Sequence, residues 1–303
     1  MDNPVRPFTK IVAGVDLSPA SLVAVGQAMS LARHSGAALV LMMVGPIPDA
    51  AEGIPSSMKQ AADRMYRVLL ERFDVERAQL EALRQRLLGQ GVEVSHSMVN
   101  GFPDSGLIEG AERVAADLVA VGTHGRTGLR RLLLGSVAEK TVRLASSSVL
   151  VARGEATAAE GGFQRIVVGT DFSPLADLAI ERSVAVAAPG ASIELVHAWH
   201  VPSDYTMDGS MALAQVDLRE SLTADAARAG LELCATWKAR GVELSFKALE
   251  GAERGALCDR ADAIGADLIV VGSHGRRGLK RMVLGSVAEA TVRHASCSVL
   301  VAR

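Results

Sequence analysis

Aromatic residues are scarce: two Trp, two Tyr and six Phe make up 3% of 303 residues. Packing must therefore rest on Val, Leu, Ala and Ile, which suits buried parallel strands that read as continuous aliphatic runs. Neither charge sign is in excess, with 32 Lys and Arg against 34 Asp and Glu and a net charge of −2. The arginines are interspersed with acids, so no polyanion-binding surface and no nucleic-acid partner is expected. The three cysteines, Cys234, Cys258 and Cys297, have no CxxC spacing. They read as buried, reduced thiols of a reducing compartment. No uninterrupted apolar run reaches the roughly 18 residues of a membrane helix. Met1–Lys10 lacks an apolar h-region, so neither a signal peptide nor a membrane location is expected, and the protein should be cytoplasmic. The pattern G-x-x-x-x-G-K-[ST] is also missing, which removes P-loop NTPase chemistry.

What the chain does have, it has twice. Lys10-Ile-Val-Ala-Gly-Val-Asp16-Leu-Ser-Pro19 returns as Arg165-Ile-Val-Val-Gly-Thr-Asp171-Phe-Ser-Pro174. Gly122-Thr-His-Gly125, nine residues and Gly135-Ser136 return as Gly272-Ser-His-Gly275, nine residues and Gly285-Ser286. A period of about 150 residues is that of a whole domain rather than a solenoid unit. The small, polar stretch Gly154–Gly162 reads as a linker. The expected division is thus 1–153, a linker at 154–162, and 163–303.

Each half alternates short aliphatic runs with helical periodicity. The runs are Ile11–Val15, Ala38–Val44, Val92–Val99, Leu118–Val121 and Val149–Ala152, then Ile166–Thr170, Ile193–Ala198, Val242–Leu249, Leu268–Val271 and Val299–Ala302. Leu22, Val25, Met29 and Ala32 fall at 3,4,3 steps on a helix opened by Ser18-Pro19, with Ser173-Pro174 its counterpart. A long second helix carries Ala62, Met65, Leu69, Phe73, Leu80, Leu83 and Leu87 on one face, matched by Leu218, Leu222, Ala226, Ala229, Leu233 and Trp237. Five strands alternating with four helices predict an α/β, doubly wound parallel-sheet domain, made twice. Ligands of such sheets bind beyond the carboxyl ends of the strands where the order reverses. Asp16 and Gly122, or Asp171 and Gly272, would then share one crevice.

Glycines with a hydroxyl residue at fixed offsets, between a strand and a helix, suit a phosphate cradle. Gly122, Gly125, Gly272 and Gly275 allow close backbone approach. Gly135-Ser136 and Gly285-Ser286 open helices whose first amides are unpaired, and the serine hydroxyls can reach phosphate or a water on Mg²⁺. Asp16 and Asp171 could accept from ribose hydroxyls or an adenine amine, or help hold a metal. Alternatively, each caps the following helix with its serine neighbour. Arg126 and Arg276 lead basic spacers and could reach phosphates, or simply face water. His124 and His274 read as loop histidines, because no further ligands lie at metal spacing beside them, and neither a metal site nor a catalytic residue is assigned. No general base is evident beside the loop, so hydrolysis should be slow at most.

With these residues in place, the chain resembles the universal stress proteins in their tandem ATP-binding form, whose members carry G-2x-G-9x-G-[ST]. The likeness covers nearly the whole chain. It implies a pocket with Asp16 and the backbone of Val44 around adenine and ribose, Val121 lining the base site, and the glycine loop with Ser136 and Val137 on the phosphates. The counterparts are Thr170, Asp171, Ala198, Val271, Gly272, Gly275, Gly285, Ser286 and Val287. Val15 departs from Thr170 by one hydroxyl, and Ala198 departs from Val44, so the two pockets need not be equal. The resemblance also implies that the last strands, Ser148–Arg153 and Ser298–Arg303, pair as an intramolecular pseudo-dimer, and allows a homodimer of chains. The function it implies is an ATP-binding regulator of the stress response, with Mg²⁺ accompanying the nucleotide. A true ATPase, a dimerisation scaffold without a nucleotide and a binder of AMP or a cyclic nucleotide are the rival readings.

Overall fold

In a computed structural model, the described residues are 5–45, 59–124, 134–154, 161–200, 209–274 and 284–303. They divide into two units, one within Phe8–Thr157 and the other within Ala158–Arg303 together with the stretch before Phe8. The first unit runs β1 (Lys10–Gly14), α1 (Pro19–Ser35), β2 (Ala38–Gly45), α2 (Lys59–Leu87), β3 (Val94–Asn100), α3 (Pro103–Arg113), β4 (Leu118–Gly122), α4 (Ser136–Leu144) and β5 (Ser148–Ala152). Its strands lie in the order β3-β2-β1-β4-β5, and the pairings of β1 with β2 and β4, of β2 with β3 and of β4 with β5 are parallel. The second unit repeats this with β6 (Phe163–Gly169), α5 (Pro174–Val186), β7 (Ala187–Trp199), α6 (Gly209–Lys238), β8 (Ser245–Glu250), α7 (Glu253–Ile264), β9 (Leu268–Gly272), α8 (Ser286–His294) and β10 (Ser298–Ala302). Its order is β8-β7-β6-β9-β10, again all parallel. Each unit is the doubly wound α/β domain that the alternating pattern predicts, with its switch point between β1 and β4, or between β6 and β9.

Away from the outer strands β3 and β8, which are largely exposed, the aliphatic runs form strands buried on both faces. All five residues of β5 and of β10 are buried, as are four of five in β4 and in β9. Asp117 sets the register before β4. Its carboxylate accepts from Thr9 N at 2.7 Å, Thr9 Oγ1 at 2.7 Å and Lys10 N at 3.1 Å, so the start of β1 is fastened to β4. Asp267 does the same for Gln164 N and Arg165 N.

Two sequence expectations change. The stripe on α2 is buried at Leu80 and Leu83, whereas Met65 is 66% exposed, and Leu218 and Leu222 of α6 are likewise exposed. Among the described side chains, burial in both helices is confined to their C-terminal halves. Strand β7 is also longer than the expected Ile193–Ala198. Helix α1 stops at Gly36 in a left-handed C-cap, but α5 has no such glycine, and Ala187 leaves the helix already extended. The chain runs straight into pairing with Phe163, with a register shift between Phe163 and Arg165.

Candidate functional site

The site region of the first unit is built on the turn after β1. Val15 N donates to Met42 O at 2.8 Å, extending the β1–β2 pairing by one residue. Leu17 then takes φ 64°, a left-handed conformation that costs a residue with a side chain on the order of 1–2 kcal/mol. That reversal lets Ser18 N (3.0 Å) and Ser18 Oγ (2.5 Å) donate to Asp16 Oδ1, while Ser18 Oγ accepts from Ser21 N at 3.2 Å as the cap of α1. One carboxylate oxygen of Asp16 is thus engaged in the turn, the capping role weighed from sequence. The carbonyl of His124 lies 3.4 Å from the same hydroxyl, which ties this turn to the loop after β4.

Gly122 sits at the point of closest approach. A Cβ there would lie 2.5 Å from the carbonyl carbon and oxygen of Ala20, so its lack of a side chain is what allows the first turn of α1 to press against the end of β4. At Gly272 the corresponding distance, to Leu175 O, is 3.0 Å. Gly135 N donates to Thr123 O at 2.7 Å, returning the chain to the end of β4, and Gly285 N does so to Ser273 O at 2.8 Å. Helices α4 and α8 start with Gly135 and Gly285 as N-caps and have no side-chain cap hydrogen bond. Ser136 and Ser286 are exposed at the first helical position, with Val137 and Val287 half-buried beside them. Glu139 and Glu289 are drawn along their helices by Arg143 (3.8 Å) and Arg293 (3.3 Å). The first-turn amides of both helices thus lack a side-chain cap and carry the positive end of a helix dipole.

The second unit repeats this with other side chains. Ser173 N donates to Asp171 Oδ1 at 3.1 Å, and Phe172 takes φ 60°. Thr170 is only 6% exposed, and its hydroxyl accepts from Phe172 N at 3.1 Å. The hydroxyl absent at Val15 therefore serves to hold the turn. Thr170 O accepts from His197 Nδ1 at 2.8 Å, and the imidazole lies against Phe172 with ring centroids 4.8 Å apart.

The remaining expected residues fall as follows. Val121 and Val271 are 3% exposed and pack toward Gly14 and Gly169. The Val44 side chain turns under α3, so close that a Cβ on Gly106 would meet its Cγ1 at 2.6 Å, leaving its backbone for any ligand. Ala198 is half-buried between His197 and Trp199. Gly125, Arg126, Gly275 and Arg276 lie outside the described residues. Beside Asp16 opens a cleft of about 520 Å³, lined by Asp16, Leu17 and the α2 residues Val68, Glu71, Arg72, Val75, Glu76 and Gln79. The exposed part of α2 is its far wall, a role that a helical stripe does not announce. The signal available in sequence was a bulky residue, Leu17 or Phe172, between the aspartate and the Ser-Pro cap. Among the described residues, no group of three or more His, Cys, Asp or Glu is placed to hold a metal, and no helix is long and apolar enough to cross a membrane.

The universal stress protein family model matches residues 7–153 and again 162–303. A universal stress protein of Mycobacterium tuberculosis, Rv1996, is 30% identical over 307 residues, covering 97% of this chain and 94% of that protein. The crystal structure of a universal stress protein from Archaeoglobus fulgidus aligns over 97% of this chain and 98% of its own, with a TM-score of 0.68 at 21% identity, a likeness of fold. A universal stress protein solved in complex with cAMP aligns over 48% of this chain and 96% of its own, with 28% identity and a TM-score of 0.31. Two matched domains and a relative spanning nearly the full length lead to one conclusion: the chain belongs to the universal stress protein family, in tandem form.

Proposed function

We propose that the protein is an ATP-binding regulator of the stress response with two nucleotide pockets, one in each half (1–153 and 163–303, joined by 154–162), and at most slow hydrolysis. The observation that carries this reading is a convergence repeated in both units. An aspartate turn, a glycine close against the first turn of the following helix and a helix N-terminus without a side-chain cap lie at the carboxyl ends of adjoining parallel strands. That donor set fits a polyphosphate: backbone amides and a hydroxyl for the oxygens, with a carboxylate at hand for ribose. Ser136 and Ser286 would hold phosphate or a water on Mg²⁺, and Asp16 and Asp171 the ribose or base. Mg²⁺ would be carried by the phosphates, whose charge it offsets, since the described side chains offer no cage of their own.

Mass spectrometry of protein purified without added nucleotide, with calorimetric titration of Mg-ATP, tests the reading. Bound adenine nucleotide or saturable binding is expected, and the absence of both refutes it. Turnover on the order of 1 s⁻¹ or faster would favour a true ATPase. Competition among ATP, AMP and cAMP decides how many phosphates the site prefers.

A further inference from the structure

In this chain of ten aromatic residues, Phe172 and Phe246 gather with His197 in the second unit, and Trp199 follows two residues after His197 on β7. Phe172 lies 4.8 Å from His197 and 6.1 Å from Phe246, centroid to centroid, and all three rings are half-exposed beside Asp171. Strand register puts Phe246 opposite Leu195, hence on the same sheet face as His197 and Trp199. Trp199 is 9% exposed, and its indole Nε1 is buried with no hydrogen-bond partner among the described residues.

Every piece of this wall differs in the first unit. The register of β1 with β2 and of β6 with β7 makes Met43 the counterpart of His197 and Gly45 that of Trp199. His96 likewise matches Phe246. Leu17 stands for Phe172 and Val15 for Thr170 in the repeated turn. The wall even has its own clearance. Gly230 of α6 approaches the Phe246 ring so closely that a Cβ would lie 2.3 Å from it, whereas the first unit has Leu80, fully buried, at that place. Thr170 anchors two members, holding Phe172 through its hydroxyl and His197 through its carbonyl. The differences thus interlock: the glycine admits Phe246, Phe246 and His197 flank Phe172, and the threonine fixes the turn.

We propose that this aromatic wall is a base-stacking surface, and that the second unit is the tighter site for a planar heteroaromatic ligand such as a nucleotide base. The inference rests on the nucleotide reading above and adds which unit binds better and through which residues. An aromatic face offers a base an attraction that Leu17 and Met43 cannot. Phe172 and His197 would then set affinity, not chemistry.

The test is calorimetric titration of the full chain with ATP, followed in parallel by tryptophan emission in a Trp237→Phe background that leaves Trp199 as the reporter. Two classes of site are expected, with the emission change following the tighter one. Phe172→Leu and, separately, His197→Met, each the first unit's own residue, should weaken the tighter class by roughly tenfold or more and leave the weaker class as it was. Far-UV circular dichroism checks that each variant is folded, and the two independent variants guard against one failing. No binding by the wild-type chain overturns the nucleotide reading itself. Binding that neither substitution alters, or an emission change that follows the weaker class, overturns only the assignment to the aromatic wall.

Discussion

Replacing Gly135 and Gly285 together with aspartate should separate phosphate binding from folding. Both glycines are N-caps with φ near −65° and ψ near 150° (−67° and 151°; −63° and 147°), extended values that any L-residue adopts. An aspartate at that position accepts from the amides of the second or third helical residue. Relative to glycine this stabilises by a few tenths of a kcal/mol, and its charge at the positive end of the helix adds about 0.3–1 kcal/mol. The sum for each helix is on the order of 1 kcal/mol, which for a domain of this size raises the melting temperature by about 2–4 °C. The same carboxylate would occupy the amides proposed for the phosphates and set a fixed negative charge against them. At about 4 Å and an effective dielectric near 20, a pair of like charges costs on the order of 4 kcal/mol. Loss of ATP affinity should therefore exceed about 100-fold even after screening. Thermal unfolding and calorimetry on the double variant read both quantities. A raised melting temperature with affinity intact refutes the phosphate role of α4 and α8. A lowered melting temperature refutes the capping geometry.

Other substitutions probe the framework. Gly122→Ala drives a methyl into the backbone of Ala20 and should cost about 2 kcal/mol or more, whereas Gly272→Ala, with its nearest atom at 3.0 Å, should cost less; urea midpoints compare the two. Gly230→Leu should destabilise by a similar amount through collision with Phe246, and adding Phe246→His, which restores the first unit's pair, should recover much of the loss in a double-mutant cycle. Lys140 Nζ donates to Asp104 Oδ2 at 2.9 Å and, chiefly through that bond, holds the Asp104 carboxyl below its ordinary value. A carboxylate so shifted stabilises the fold above its unfolded pKa, about 3.9, and loses that contribution as pH falls through the lower folded value. Lys140→Met should thus be slightly less stable than the parent at pH 6, as expected for an exposed pair, and the difference should shrink in acid-unfolding curves as pH falls below the unfolded value.

The framework was legible because burial on both faces leaves a continuous aliphatic run, and because Gly122 and Gly272 end their strands while Asp16 and Asp171 follow two residues after theirs. What escaped was whatever depends on an approach between distant segments. The glycine at 122 reads as a loop residue, yet its immediate neighbour is the backbone of Ala20. The hydroxyl of Thr170 reads as a pocket group, yet it holds an amide two residues on. Leu218 and Leu222 continue a helical stripe, but periodicity cannot tell where the sheet beneath ends. Asp117 stands just before the run Leu118–Val121 and gives no sign in sequence that it clamps Thr9 and Lys10. Phe172, His197 and Phe246 are separated along the chain, and only register brings them into one group.

The left-handed residues Leu17 and Phe172 have a further consequence. Each follows the carboxylate of a turn fixed by other atoms, and each is half-exposed at the mouth rather than bound into the sheet or a helix. The surrounding hydrogen bonds hold the turn in both units, so the backbone itself does not dictate which side chain stands there. After duplication this is the position at which one codon can retune one half while the other keeps its own preference. On the nucleotide reading proposed above, a doubled chain would answer two concentrations of the same small molecule, the threshold of each half depending on the residue of its turn and on the side chains packed against it.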